Sequence, residues 1–341
     1  MQNARLQTPN SKLQTPNSKL QTPNSELQTL NPKPRTPNSK PQTPNCTMLI
    51  DLSDRAKFKV TGNDRTRFLN GQLTNDILGL HAGSAIYACA LTAKGKLCAD
   101  LFVAATNENH YLDAEPVLRE SLAARLEKYI IADDVTLEDV TGQFGLFHLI
   151  DSQGPGAFEG LEVFQNLSTR FGQPGFDLWF PVGQAASVLE RLQQHPIDAE
   201  ALEALRIEQG IARWGSELSE NVLPNEADLA KRAISYTKGC YLGQEVISRI
   251  KSLGHVNRHL RGLLPARDVS VQVGDKLVDP TEAGKEVGFI TSVGQSRSLA
   301  RPIALGYIRR GSDAPGSTLQ VRQNNTLIGS LQVCSLPFIS A

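Results

Sequence analysis

Lys238-Gly239-Cys240-Tyr241-Leu242-Gly243-Gln244-Glu245 places an ammonium, a thiol, a phenol, an amide and a carboxylate within eight positions, with glycines that permit a tight backbone. Positive charge from Lys238 and Arg249 favours the thiolate, so Cys240 reads as a nucleophile or redox group. The alternative is a small, half-buried residue in a glycine turn, since no histidine stands closer in sequence than His255 to act as a base. The run that follows (Arg249, Lys251, His255, Arg258, His259, Arg261) offers cations to RNA or another anionic partner, or is a solvated connector.

These residues need elements to hold them. Residues 56–104 alternate short apolar stretches (FKV, IYACAL, LCADLFVAA) with turn signals at 61–63, 81–83 and 94–95, the pattern of a strand-rich unit. A helix capped by Asp64 is predicted within it, carrying Phe68, Leu69, Leu73 and Ile77. Leu118, Leu122, Leu126 and Ile130 recur every fourth residue and predict a helix starting after Pro116. Strands are expected near 144–150 and 176–182, and helices near 184–194 and 198–210. From about 260, short alternating runs separated by Gly, Asn and Pro predict a small antiparallel β-barrel or sandwich. No G-x-G-x-x-G or G-x-x-x-x-G-K-[ST] loop cradles a nucleotide phosphate.

The 341 residues carry 35 Lys+Arg and 35 Asp+Glu, with 40% hydrophobic residues, an ordinary globular composition. The charge is uneven. Residues 1–47 hold six basic side chains and one acid, leaving 48–341 with 29 basic, 34 acidic and a net charge of about −5, so bulk charge gives no nucleic-acid face. That opening stretch repeats LQTPNSK with one proline per unit and is expected to be disordered. Met48, where apolar patterning begins, is the expected start of translation; the rival is a real tail or an organellar transit peptide. Five cysteines with no C-x-x-C pair argue against a disulfide framework or structural zinc and for a reducing, cytoplasmic setting. No window approaches the roughly 18 apolar residues of a membrane span, so no membrane partner is expected.

KGCYLGQE resembles the K-G-C-[YF]-x-G-Q-E signature of YgfZ-type folate-binding proteins, which act in iron–sulfur cluster assembly or repair and are linked to tRNA modification. LRIEQGIARWGSEL (205–218) is similar to the R-x-E-x-G segment these share with the glycine-cleavage T-protein, an aminomethyltransferase. RFGQPGFDLWFP (170–181) resembles that superfamily's G-E-x-G-[YF]-E strand, VTGNDRTRFLNGQLTNDI (60–77) its N-terminal strand and helix, and VGFITSVGQSRSLARPIALGYIRR (287–310) its barrel. The likeness covers nearly all of 50–341 and none of 1–47.

The resemblance implies an α+β, T-protein-like fold: a folate-binding region over 48–255 made of two related lobes with a break near 140–150, then an antiparallel β-barrel over 256–341. It implies tetrahydrofolate or a one-carbon derivative as the cofactor. Asp177 takes the place of the superfamily's glutamate and would accept the pterin's paired N–H groups, Trp179 on the same strand face would stack on the ring or belong to the core, and Arg206 of the Arg206–Glu208 pair would meet the folate carboxylates. An i,i+2 pair on a helix faces two ways, so at least one of Arg206 and Glu208 is expected to be structural. Tyr241, Gln244 and Glu245 are implied at the same site, with Cys240 and Lys238 in the chemistry. Of the two carboxylates in the T-protein's G-G-x-x-D-D-L segment, Asp100 remains and Ala99 replaces the other, which weakens a transferase reading. The expected function is therefore a folate-binding accessory protein whose partners are iron–sulfur enzymes or their assembly proteins, with tRNA a further candidate; the alternative is a folate-dependent aminomethyltransferase.

Overall fold

Period-two alternation decides how the first half of the chain folds. In the computed structural model, which describes residues 48–150, 154–281 and 284–339, the chain runs through β1 (Met48–Asp51), β2 (Ala56–Thr61), α1 (Arg65–Gln72), β3 (Ala85–Leu91), β4 (Leu97–Ala105), β5 (His110–Ala114), α2 (Arg119–Glu127) and β6 (Thr136–Asp139). The repeat at 1–47 lies outside the described residues. Five of these strands form an antiparallel sheet in the order β3-β4-β5-β2-β6. Ala88, Ala90, Ala99, Leu101, Val103 and Leu112 turn one face onto a core with Phe68, Leu69, Leu122 and Leu126 from the helices. Tyr87, Asp100, Phe102, Tyr111 and Asp113 alternate with them and occupy the other face. The predicted stripe of α2 is buried through Leu126, but the helix stops at Glu127 because its end tightens into i→i−3 bonds from Tyr129 and Ile130, leaving Ile131 88% exposed.

The second lobe continues with β7 (Phe144–Ile150), β8 (Phe164–Ser168), β9 (Gly175–Pro181), α3 (Ala185–Leu192) and α4 (Ala199–Glu208). Its sheet has the order β1-β7-β9-β8, so β1 crosses over to pair with β7 before the chain builds the first sheet. Leu178 and Phe180 of β9 bury against α3 residues such as Val188. Asp177 and Trp179 alternate with them and face the first sheet, where the Tyr111 ring lies 5.4 Å from Trp179. Each fully buried aromatic of this seam contributes about 1.5–3 kcal/mol.

After α5 (Ala230–Ala233) and α6 (Gln244–Leu253) come β10 (Arg258–Pro265), β11 (Lys276–Val278), β12 (Glu286–Ser296), β13 (Arg301–Arg309), β14 (Thr318–Gln323) and β15 (Thr326–Cys334). They close into an antiparallel barrel in the order β10-β13-β12-β11-β14-β15, which leaves no open edge. The barrel braces α4: Ser292 hydrogen-bonds both Arg206 and Glu217, and Glu208 accepts from Ser296 and Ser298. The architecture is thus two α+β lobes and a C-terminal six-stranded barrel. No helix among the described residues is long and apolar enough to cross a membrane.

Candidate functional site

A cavity of about 450 Å³ opens where the inner face of the first sheet, the β1–β2 connection, the β8–β9 turn and α4 meet. That is within the roughly 300–1,000 Å³ of small-molecule sites. Leu52, Phe102, Phe171, Ile197 and Leu202 give it apolar walls, while Asp100, Glu115, Glu203, Arg55, Arg170, Arg206, Arg213 and Arg232 supply charge.

Asp100 is the most unusual of these groups. It projects from β4 on the face opposite the helices and is 6% exposed. Its Oδ2 accepts from the Tyr87 hydroxyl at 2.9 Å, and its Oδ1 is buried with no hydrogen-bond partner. Burial raises its pKa to about 6, with Arg55 and Tyr87 pulling the other way. A carboxyl poised there can hold or release a proton near neutral pH.

Beneath the cavity lies a charged layer of which sequence reasoning marked only Asp177. Arg170, 4% exposed, donates to both oxygens of Asp113 and both of Asp177, and its guanidinium carbon sits 4.0 Å over the Phe102 ring. His148 Nδ1 donates to Asp177 Oδ1 at 2.8 Å. Burial opposes the charged form of Asp177, but Arg170 and His148 outweigh it and hold the pKa at about 2. Asp113 also receives Arg55, which reaches on to Glu115. Of these, Asp113 carried a readable signal, being the one acid in the HYLDA strand.

Several expectations need correction. Asp177 is completely buried with both oxygens taken by Arg170, so it is a floor support, not a ligand acceptor on the wall. Trp179 is a core residue stacked on Phe164 at 5.6 Å and does not line the cavity. Arg206 does line it, yet its N–H groups go to Glu203, Glu217, Ser292 and the Ile211 carbonyl. Glu208 is tied to the barrel as well, so both members of the pair are taken up in structural contacts.

The signature segment lies away from the cavity and serves it indirectly. Lys238 Nζ donates to the carbonyl oxygens of Asn70, Leu73 and Asn75 at 2.6, 2.8 and 2.7 Å, clamping the end of α1, and burial lowers its pKa to about 8. Tyr241 is buried in the apolar cluster containing Leu91, Leu97 and Ile247. Gly243, at φ +87°, has no room for a Cβ, which would stand 2.6 Å from the Thr92 carbonyl oxygen. Gly239 has no such constraint. Gln244 opens α6, and Glu245 is exposed and paired with Arg249. Cys240 is exposed and does not line the cavity, so it is no partner of Asp100. The segment therefore staples α1 to the β3–β4 hairpin that carries Tyr87 and Asp100. Lys238→Met should cost about 1–3 kcal/mol of unfolding free energy by stranding buried carbonyls, whereas Cys240→Ala should stay within about 0.5 kcal/mol; urea midpoints measure both. In the basic run, Arg258 pairs with Glu226 and Arg261 and His259 with Asp313.

Two α+β lobes that meet at a cavity, followed by a closed barrel, define a class of fold, and comparison with known proteins shows what the chain resembles. Residues 41–173 match the model of the GCVT N-terminal domain and 258–339 that of the glycine cleavage T-protein C-terminal barrel domain. The chain is 29% identical over 306 residues to "Putative transferase At1g60990, chloroplastic" of Arabidopsis thaliana, spanning 81% of this chain and 68% of that one. It is 27% identical over 339 residues to the mitochondrial aminomethyltransferase of Gallus gallus, spanning 85% and 81%. The crystal structure of the glycine cleavage system aminomethyltransferase T from Bartonella henselae superposes with a TM-score of 0.75 at 23% identity over 86% of each chain, a likeness of fold. The chain thus carries regions similar to both domains of the glycine cleavage T-protein, in the same order.

Proposed function

We propose that the cavity binds tetrahydrofolate or a one-carbon derivative and that Asp100 handles the proton at the one-carbon nitrogen. The observation that carries this reading is the buried, unpartnered Oδ1 of Asp100 inside a cavity of suitable size. Residues present fit the group in most respects. Phe102, Phe171 and Leu202 offer a flat ring an apolar wall, and Asp51, Asp54 and Glu115 line the cavity as acceptors for a pterin's amine edge. The acceptor expected from Asp177 falls to these. When bound, a reduced folate supplies the nitrogens that carry a one-carbon unit. Tyr87 orients the Asp100 carboxyl through its hydroxyl, and the Arg170 layer fixes the floor on which Phe102 rests. Relatives named aminomethyltransferases support the alternative that the bound unit is transferred to or from another substrate.

The test is calorimetric titration of 5,6,7,8-tetrahydrofolate into the full chain. Saturable binding is expected; no heat at any ratio sinks the reading. A second reading, support of iron–sulfur cluster assembly and through it tRNA modification, draws on the signature and on the exposure of Cys240, which leaves the thiol open to a partner protein. Its test is rescue of iron–sulfur enzyme activity in cells lacking the protein, where Cys240→Ala should fail although the variant folds and binds folate normally.

A further inference from the structure

Four of the five cavity arginines are neutralised: Arg55 by Asp113 and Glu115, Arg170 by Asp113 and Asp177, Arg206 by Glu203 and Glu217, and Arg213 by Glu203. Arg232, on α5, is different. Among the described residues no carboxylate pairs with it, and its Nη2 donates to the Thr169 and Arg170 carbonyl oxygens at 3.3 and 2.6 Å. Nε and Nη1 carry no hydrogen bond to the described residues. Its guanidinium lies 5.7 Å from the centre of the Tyr87 ring, and Tyr87 in turn bonds Asp100. Burial lowers its pKa, partly offset by Tyr87 and Asp228, the mark of a cation short of a counter-charge.

We infer that Arg232 is an anion subsite of the cavity, holding a carboxylate of the ligand beside the Tyr87–Asp100 pair. A guanidinium with unused donors and a half-buried setting suits a carboxylate, and forming that pair relieves the desolvated charge. The carboxylate has two sources: the glutamyl tail of a folate, or a small carboxylate substrate that shares the cavity with it. The inference rests on the cavity being the binding site, and its test separates it from the pterin reading.

Three probes are titrated into wild type, Arg232→Gln and Arg232→Lys, with thermal unfolding as the check on folding: tetrahydrofolate, 6-methyltetrahydropterin, which lacks the tail, and glycine. If the tail is the source, Arg232→Gln weakens tetrahydrofolate about 10- to 100-fold and leaves methyltetrahydropterin unchanged. If a separate substrate is the source, both pterins keep their affinity and glycine binding is lost. Arg232→Lys should recover part of either loss. Failure of both pterins to bind wild type while glycine still distinguishes Arg232→Gln would reject the folate reading and keep this one. Equal affinity of wild type and Arg232→Gln for all three probes overturns the subsite.

Discussion

Replacing Arg170 by methionine is expected to lower the unfolding free energy by about 3–5 kcal/mol at pH 7, because Asp113 and Asp177 then lose the guanidinium that bridges them and stay buried and charged with only Arg55 and His148, respectively, beside them. Few single substitutions away from a packed core cost as much. The pH dependence gives the check its sign. Asp177 in the folded protein has a pKa of about 2, below its unfolded value near 3.9, so its contribution is present above about pH 4 and fades as pH falls towards 2. In the variant, Asp177 has lost its main counter-charge and gains stability by protonating, so the gap to wild type should narrow as the pH is lowered from 7 to 4. Urea unfolding at several pH values measures this. A loss below about 1 kcal/mol at pH 7, or a gap that widens in acid, would show that the layer under the cavity is not held by this guanidinium.

Asp100→Asn should act in the opposite direction on stability while removing chemistry. The wild-type carboxyl has its folded pKa raised from 3.8 to about 6. A raised carboxyl pKa means that the folded state binds the proton more tightly than the unfolded chain. Stability due to this group therefore falls as pH rises from about 4 to about 6 and is then level. Asparagine keeps an acceptor for Tyr87 and carries no charge, so the variant should be more stable than wild type above pH 6, by on the order of 2–3 kcal/mol, and close to it at pH 4. One-carbon transfer, followed as methylene-tetrahydrofolate formation with aminomethyl-lipoyl carrier protein as donor, should fall about 100-fold or more, the scale of a lost acid–base group. A variant no more stable than wild type at pH 7.5, with turnover intact, would remove Asp100 from the proposed role.

Local periodicity made much of the fold legible. Alternation in IYACAL and LCADLFVAA, the stripe Leu118–Leu122–Leu126 and the Gly-punctuated runs after 260 each became the expected kind of element. The pairing of β1 with β7 was not legible, because four residues carry no information about which distant edge they complete. At the site, Asp100 was legible through the resemblance of its segment to G-G-x-x-D-D-L, and its place in an apolar strand agrees with a side chain turned away from the core. Asp177 lies on the expected strand face, but only the tertiary fold brings Arg170, from a turn with no periodic pattern, between it and the cavity. Lys238 misled for a similar reason. Its ammonium stands near Cys240 in sequence, yet a strongly hydrated cation that becomes half-buried needs oxygen partners, and the end of α1 presents three. Arg232 sits in a polar stretch where nothing local marks it as a cation with no carboxylate partner among the described residues.

Because β1 is laced into the second sheet before the first is made, the backbone traverses the seam twice, once through Leu52–Arg55 and again between Asp139 and Phe144. Leu52, Asp54 and Arg55 on the first traverse also form part of the chamber between α4 and the first sheet. Neither half can thus be excised as a contiguous fragment without tearing a strand from the other, and any hinge-like spreading of the halves must drag one wall of the chamber with it.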